Sequence, residues 1–194
     1  MTKNQKISTF ISSVVNKCIK HNIGFHLVPM PYVMADGLKC SGYFDEKELV
    51  VAANKKDWLD VLVHESCHLD QFIQKYKLWS VADSDLTTFD EWLNGKKTST
   101  AKIVECVKRI IELELDCEKR AIKKFKKFDF TFINVDSYIK QANSYLFGYW
   151  VAVKNRKWYP MPYNNPSIVK AMPKTFLSTK EYFNPDVSFI KYYV

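Results

Sequence analysis

Residues 57–76, DWLDVLVHESCHLDQFIQKY, decide how this chain is read. Asp57 precedes an apolar-periodic run and Asp60 follows three residues on, a capping-box-like start for a helix reaching about Tyr76. Trp58, Leu62, Leu69 and Ile73 recur on one side of that helix as its apolar stripe. Inside it stands His64-Glu65-Ser66-Cys67-His68, a match to H-E-x-x-H. Histidines four apart share a helix face, so both imidazoles can reach one metal ion. They lie off the stripe, near Val61 and Gln71, whereas histidines that merely fill a core would sit within it. Glu65 projects to the neighbouring side, where a carboxylate can take a proton from a metal-bound water. Cys67 faces away from the pair and reads as a packing residue rather than a nucleophile or ligand.

Two histidines need a third protein ligand if one coordination position is to stay open for chemistry. Gln71 and Gln74 occupy the places where an extended H-E-x-x-H-x-x-G-x-x-H would carry Gly and a third His, and His21 and His26 lie upstream. The long helix expected over 99–128 offers a better donor. There Val107, Ile110, Glu114, Ala121 and Phe125 fall in one sector, with Glu118 at its edge, while Glu105, Glu112 and Asp116 point the opposite way. A buried carboxylate needs a partner, and a metal supplies one. Glu114 is therefore the expected third ligand, and Glu118, one turn on, is placed to accept a hydrogen bond from a ligating imidazole. The plainer alternative is that both pair with Arg120 or lysines at a helix surface.

Outward from these helices, residues 5–21 form an amphipathic helix through Ile7, Phe10, Ile11, Val14 and Cys18. Short β-type runs come next at 25–33, 41–44 and 48–53, the first demoted to an edge or irregular strand by Pro29 and Pro31. Shorter and longer helices are expected at 84–94, closed by Gly95, and at about 136–154. Beyond Arg156, prolines interleaved with Tyr and Asn predict an extended, turn-rich segment. The expected architecture is α+β: one domain over 1–155, with 156–194 packed on it as a Pro/Tyr-rich extension.

Composition supports a folded globule and excludes several classes. Of 194 residues 47% are hydrophobic and 15% aromatic, with only 5 Gly and 7 Pro, which rules out disorder. No apolar run approaches the roughly 18–20 residues of a membrane span, and MTKNQKISTF lacks the apolar stretch of a secretory signal. The five cysteines are odd in number and contain no Cys-x-x-Cys, which argues against a disulfide framework and for a cytoplasmic setting. The net charge of +8 is uneven, −2 over residues 1–95 and +10 over 96–194. Only three of the 29 basic residues are arginine, a weak basis for reading nucleic-acid bases.

The motif on one helix and the acids on a later one resemble the gluzincin branch of zinc metallopeptidases. Glu114-Leu-Asp116-Cys-Glu118-Lys-Arg-Ala121 is similar to that family's E-x-E-A-D/N-x-x-A, although Asp116 and Glu118 replace the usual Glu and Asp/Asn. The likeness covers roughly residues 40–125 and is closest to the compact ImmA/IrrE-type intracellular metallopeptidases. In these a glycine-started strand, matched here by Gly42-Tyr-Phe and then Glu48-Leu-Val-Val-Ala, precedes the active-site helix and forms the substrate-side edge. The resemblance implies a zincin-like fold with an N-terminal helix, a small twisted mixed or antiparallel sheet, the motif helix and a backing helix.

It implies too that Zn²⁺ is held by His64, His68 and Glu114, and that a protein or peptide substrate is hydrolysed with Glu65 as general base. The extra donor for developing negative charge is left open among Tyr149, Tyr159, Tyr163 and Arg156 in GYWVAVKNRKWYPMPY. A competing reading keeps the fold and makes the chain a regulatory or binding protein, whose basic C-terminal half meets nucleic acid or an acidic protein. The oligomeric state is not readable from the sequence.

Overall fold

A computed structural model describes residues 1–35, 37–158 and 162–183. The architecture is α+β, mostly helical, with a small mixed sheet and an N-terminal helix. The chain divides into two compact units, residues 1–76 with 119–133 and residues 77–118 with 134–194.

The first unit opens with α1, Lys3–Lys20, started by a complete capping box between Thr2 and Gln5 and burying Phe10, Val14 and Cys18. Phe10 meets Phe128 and Phe130 edge-on, with ring centroids 5.0 and 5.6 Å away. The strands are β1 (Gly24–Val28), β2 (Val33–Ala35), β3 (Leu38–Cys40), β4 (Gly42–Phe44) and β5 (Glu48–Ala52). β5 is central, parallel to β1 and antiparallel to β4, while β2 and β3 form a separate antiparallel pair. β1 is thus an edge strand, as Pro29 and Pro31 predict, and the prolines lie between β1 and β2. Every β5 side chain after Glu48 is buried, which suits a central strand covered by a helix.

That helix is α2, Trp58–Ile73, which packs on β4 and β5. Gly42 allows the close approach, since a Cβ there would sit 2.8 Å from both the Val50 carbonyl oxygen and Val61 Cγ1. The expected capping box at Asp57 does not form. Asp57 occupies the N-cap with φ −98° and ψ 12°, outside the extended geometry that aims a side chain at the first turn, and its carboxylate faces Lys55 at 3.8 Å.

The second unit holds α3 (Trp79–Leu93), α4 (Thr100–Lys127) as far as Glu118, α5 (Val135–Asn155), α6 (Pro166–Ala171) and α7 (Thr179–Phe183). Its core gathers Phe89, Ile103, Ile110, Leu146, Phe147 and Ile168. α3 starts five residues earlier than its apolar pattern suggests. Ala82, Asp85, Phe89 and Trp92 form one buried stripe, and Asp85 hides that stripe's beginning because it is charged. It is tolerated inside because Arg109 on α4 grips it with Nε at 2.7 Å and Nη2 at 2.5 Å. Burial alone would raise the Asp85 carboxyl; the guanidinium holds it below the ordinary range.

The segment after Arg156 is not simply extended. It contains a 3-10 turn at Pro162–Asn164 and two short helices. Asn165 caps α6 with its side chain and Pro166 takes the first helical position, so two turn-formers act here as a helix start. Asn143, fully buried on α5, fastens the stretch between α6 and α7. Its amide donates to the carbonyls of Pro173 (3.1 Å) and Thr175 (2.9 Å). Its oxygen accepts from the Leu177 N–H (3.3 Å) and the Tyr182 hydroxyl (2.6 Å). Among the described residues, no helix is long and apolar enough to cross a membrane.

Candidate metal centre

α2 places the side chains of the motif on distinct sectors, and each sector meets different surroundings. His64 and His68 converge, with their Nε2 atoms 3.1 Å apart and their rings nearly perpendicular at 82°. His68 is buried, with its Nδ1 2.9 Å from Gln71 Oε1. Glu65 is also buried, next to His64 on the helix. Burial raises the Cys40 thiol, and the Glu65 carboxylate raises it further. Cys67 is fully buried with its thiol on the Val63 carbonyl at 3.1 Å, the packing role expected of it.

The opposite flank of α2 is tied down by charge. Asp70 accepts from Lys17 on α1 and, at 2.8 Å, from Lys124 near the end of α4. Lys124 also donates to the Ser66 hydroxyl at 2.7 Å, and Ser66 in turn donates to the Val63 carbonyl at 2.7 Å. Burial by itself would raise the Asp70 carboxyl, but the two ammonium groups hold it below the ordinary carboxylate value. Arg120 adds a bond to Gln74 Oε1 at 2.6 Å. The last turns of α4 are thus docked on α2, and Cys117 stands just before them on the same unbroken helix.

His64, His68 and Cys117 form a group that could hold a metal ion, with donor atoms all within 4.8 Å of one another. Cys117 is a residue that sequence reasoning missed, and Glu114 is not a member of that group. On α4 the division of the acids is as the helical pattern predicts: Glu114 and Glu118 are buried, Glu105 is exposed, and Glu112 and Asp116 are partly exposed. Glu112 pairs with Lys77 at 3.4 Å and Glu105 with Lys108 at 2.6 Å.

The phenols of α5 lie near the buried acids. Burial, then the charge of Glu114, drives the Tyr145 and Tyr149 hydroxyls well above their usual range, so both stay protonated, 3.1 Å apart. Burial and then Glu118 do the same for Tyr182. Tyr163 is partly buried with its ring 6.0 Å from that of Tyr145, and burial raises its phenol. Arg156 donates to the carbonyls of Trp92 (3.0 Å) and Lys96 (3.1 Å) and lies over the Trp92 ring. Its guanidinium therefore fastens the end of α5 to the end of α3. Tyr159 lies outside the described residues.

Gln71 escapes a sequence reading that seeks a third histidine beyond His68. The signal is present in its spacing, three residues after a candidate ligand, where a side chain can reach back to the imidazole. Cys117 gives no such signal, because no spacing within α4 links it to residues on α2. Comparison of the chain with protein-family models, with curated proteins and with solved structures gives no match.

Proposed function

We propose that this chain is a zinc-dependent peptidase of zincin-like arrangement, with His64 and His68 as metal ligands and Glu65 as general base. The observation that carries the reading is the convergence of the two imidazoles beside a buried glutamate on one helix. Two nitrogens on a tetrahedral zinc, each at about 2.0–2.1 Å, stand about 3.3 Å apart, and the two Nε2 atoms are separated by 3.1 Å. The donor chemistry also fits, since imidazole and thiolate both suit zinc. α4 supplies the third ligand, either Cys117 from the donor group or Glu114 as the gluzincin resemblance implies.

Zinc bound there supplies Lewis acidity, polarising the attacking water and the substrate carbonyl. Glu65 takes the proton from the water and returns it to the departing amine, a shuttle that suits a carboxylate shielded from bulk solvent. Five free cysteines and no disulfide among the described residues suit a reducing, cytoplasmic setting.

The test is metal content together with Glu65→Gln. The wild-type chain is expected to hold about one zinc and to cleave a peptide library; the variant keeps the zinc and loses cleavage. A chain that takes up no zinc, or whose uptake survives His64→Ala, refutes the metal site. Zinc binding without cleavage refutes the enzyme and favours the binding-protein reading.

A further inference from the structure

We propose that Gln71 is a positioning residue that sets the tautomer of His68, and so decides which ring nitrogen that histidine offers to a metal. The proposal rests on the reading of His64 and His68 as metal ligands. Gln71 is fully buried on α2, one turn past His68, with its Oε1 2.9 Å from His68 Nδ1. A neutral imidazole carries one ring proton, and an amide oxygen can only accept, so this bond puts the proton on Nδ1. The lone pair is left on Nε2, the atom that faces His64 Nε2 at 3.1 Å. The opposite tautomer would place N–H where the ligand lone pair must be.

The choice of glutamine has a physical consequence. A carboxylate at this position would bury a charge beside the two histidines, whereas the amide orients the ring without one. The amide is also reversible: turned over, its NH₂ would donate to Nδ1 and move the proton to Nε2. Glutamate cannot do this, because a carboxylate only accepts. Gln71→Glu is therefore the variant that keeps the orientation, and Gln71→Leu the one that removes it at similar volume.

The experiment uses the full chain without added metal at about pH 8, where an unperturbed imidazole is neutral. Nitrogen-15 NMR of the histidine rings reads the tautomer, and zinc competition against a chromophoric chelator reads affinity. The expected result is Nδ1–H for His68 in wild type and Gln71→Glu, lost in Gln71→Leu along with a roughly 10–100-fold drop in zinc affinity. Nε2–H for His68 in the wild-type chain overturns the proposal, as does a Gln71→Leu chain with unchanged tautomer and unchanged affinity. If the tautomer behaves as expected and no variant binds zinc, the positioning role stands and the metal-site reading fails.

Discussion

Asp70→Asn should destabilise the first unit measurably, and by an amount that depends on pH in a predictable direction. Asp70 accepts from two lysines, and their exposure separates their contributions. The Lys124 side chain is 12% exposed and that of Lys17 is 35%. A hydrogen bond to a charged group with little solvent access is worth about 2 kcal/mol. The Lys17 pair, more open to water, is worth about 0.5 kcal/mol. Replacing the carboxylate with an amide of the same shape should therefore cost about 2–3 kcal/mol at neutral pH. For a chain of this size that lowers Tm by about 5–10 °C. Because the native Asp70 carboxyl is held below its ordinary value, its contribution is complete above about pH 4, where the unfolded carboxyl is ionised. It fades as pH falls through the lowered native value. Thermal unfolding of both chains, followed by circular dichroism from about pH 7 to about pH 3, should show a gap that is constant at first and then narrows below about pH 4. An equal gap at both ends of that range, or no gap at neutral pH, would refute the assignment of Asp70 as the anion shared by Lys17 and Lys124.

Cobalt(II) titration separates the two candidate third ligands: Cys117→Ser should abolish a sulfur-to-cobalt charge-transfer band that Glu114→Gln retains. A wild-type cobalt complex without that band returns the role to Glu114. Asn143→Ala strands the Tyr182 hydroxyl and three backbone groups, at a cost of about 3 kcal/mol or more. It should speed proteolysis between Met172 and Ser178; unchanged cleavage there would mean that Asn143 does not hold the segment.

What can be read from the sequence obeys a physical divide between local and distant causes. The His64–His68 face, the burial of Glu114 and Glu118 and the edge position of β1 are set by helical periodicity or by proline chemistry within a few residues. The start of α3 is obscured because Asp85 owes its burial to Arg109, 24 residues away. α6 is obscured because Asn165-Pro166 signals a turn as readily as a capped helix. Cys117 is grouped with the histidines by tertiary structure, from an element far from α2 in sequence. No periodicity within α4 carries that information.

The same divide bears on the basic half of the chain, whose charge by itself suggests a polyanion partner. Each of the three arginines has a task inside the fold. Arg109 grips Asp85, Arg120 bonds Gln74 and lies over the Tyr76 ring, and Arg156 binds two carbonyls. Base readout and bidentate phosphate recognition rely on guanidinium forks, and here these are engaged. Lys124 is likewise committed to Asp70 and Ser66. What solvent meets at the end of α4 is Lys119, Lys123, Lys126 and Lys127, all exposed. Lysines of this kind attract anions without discriminating among them, and salt screens that attraction within about 10 Å at about 0.1 M ionic strength. Arg109, Arg120, Lys124 and Arg156 therefore serve the fold itself, and their charge is not free for a partner.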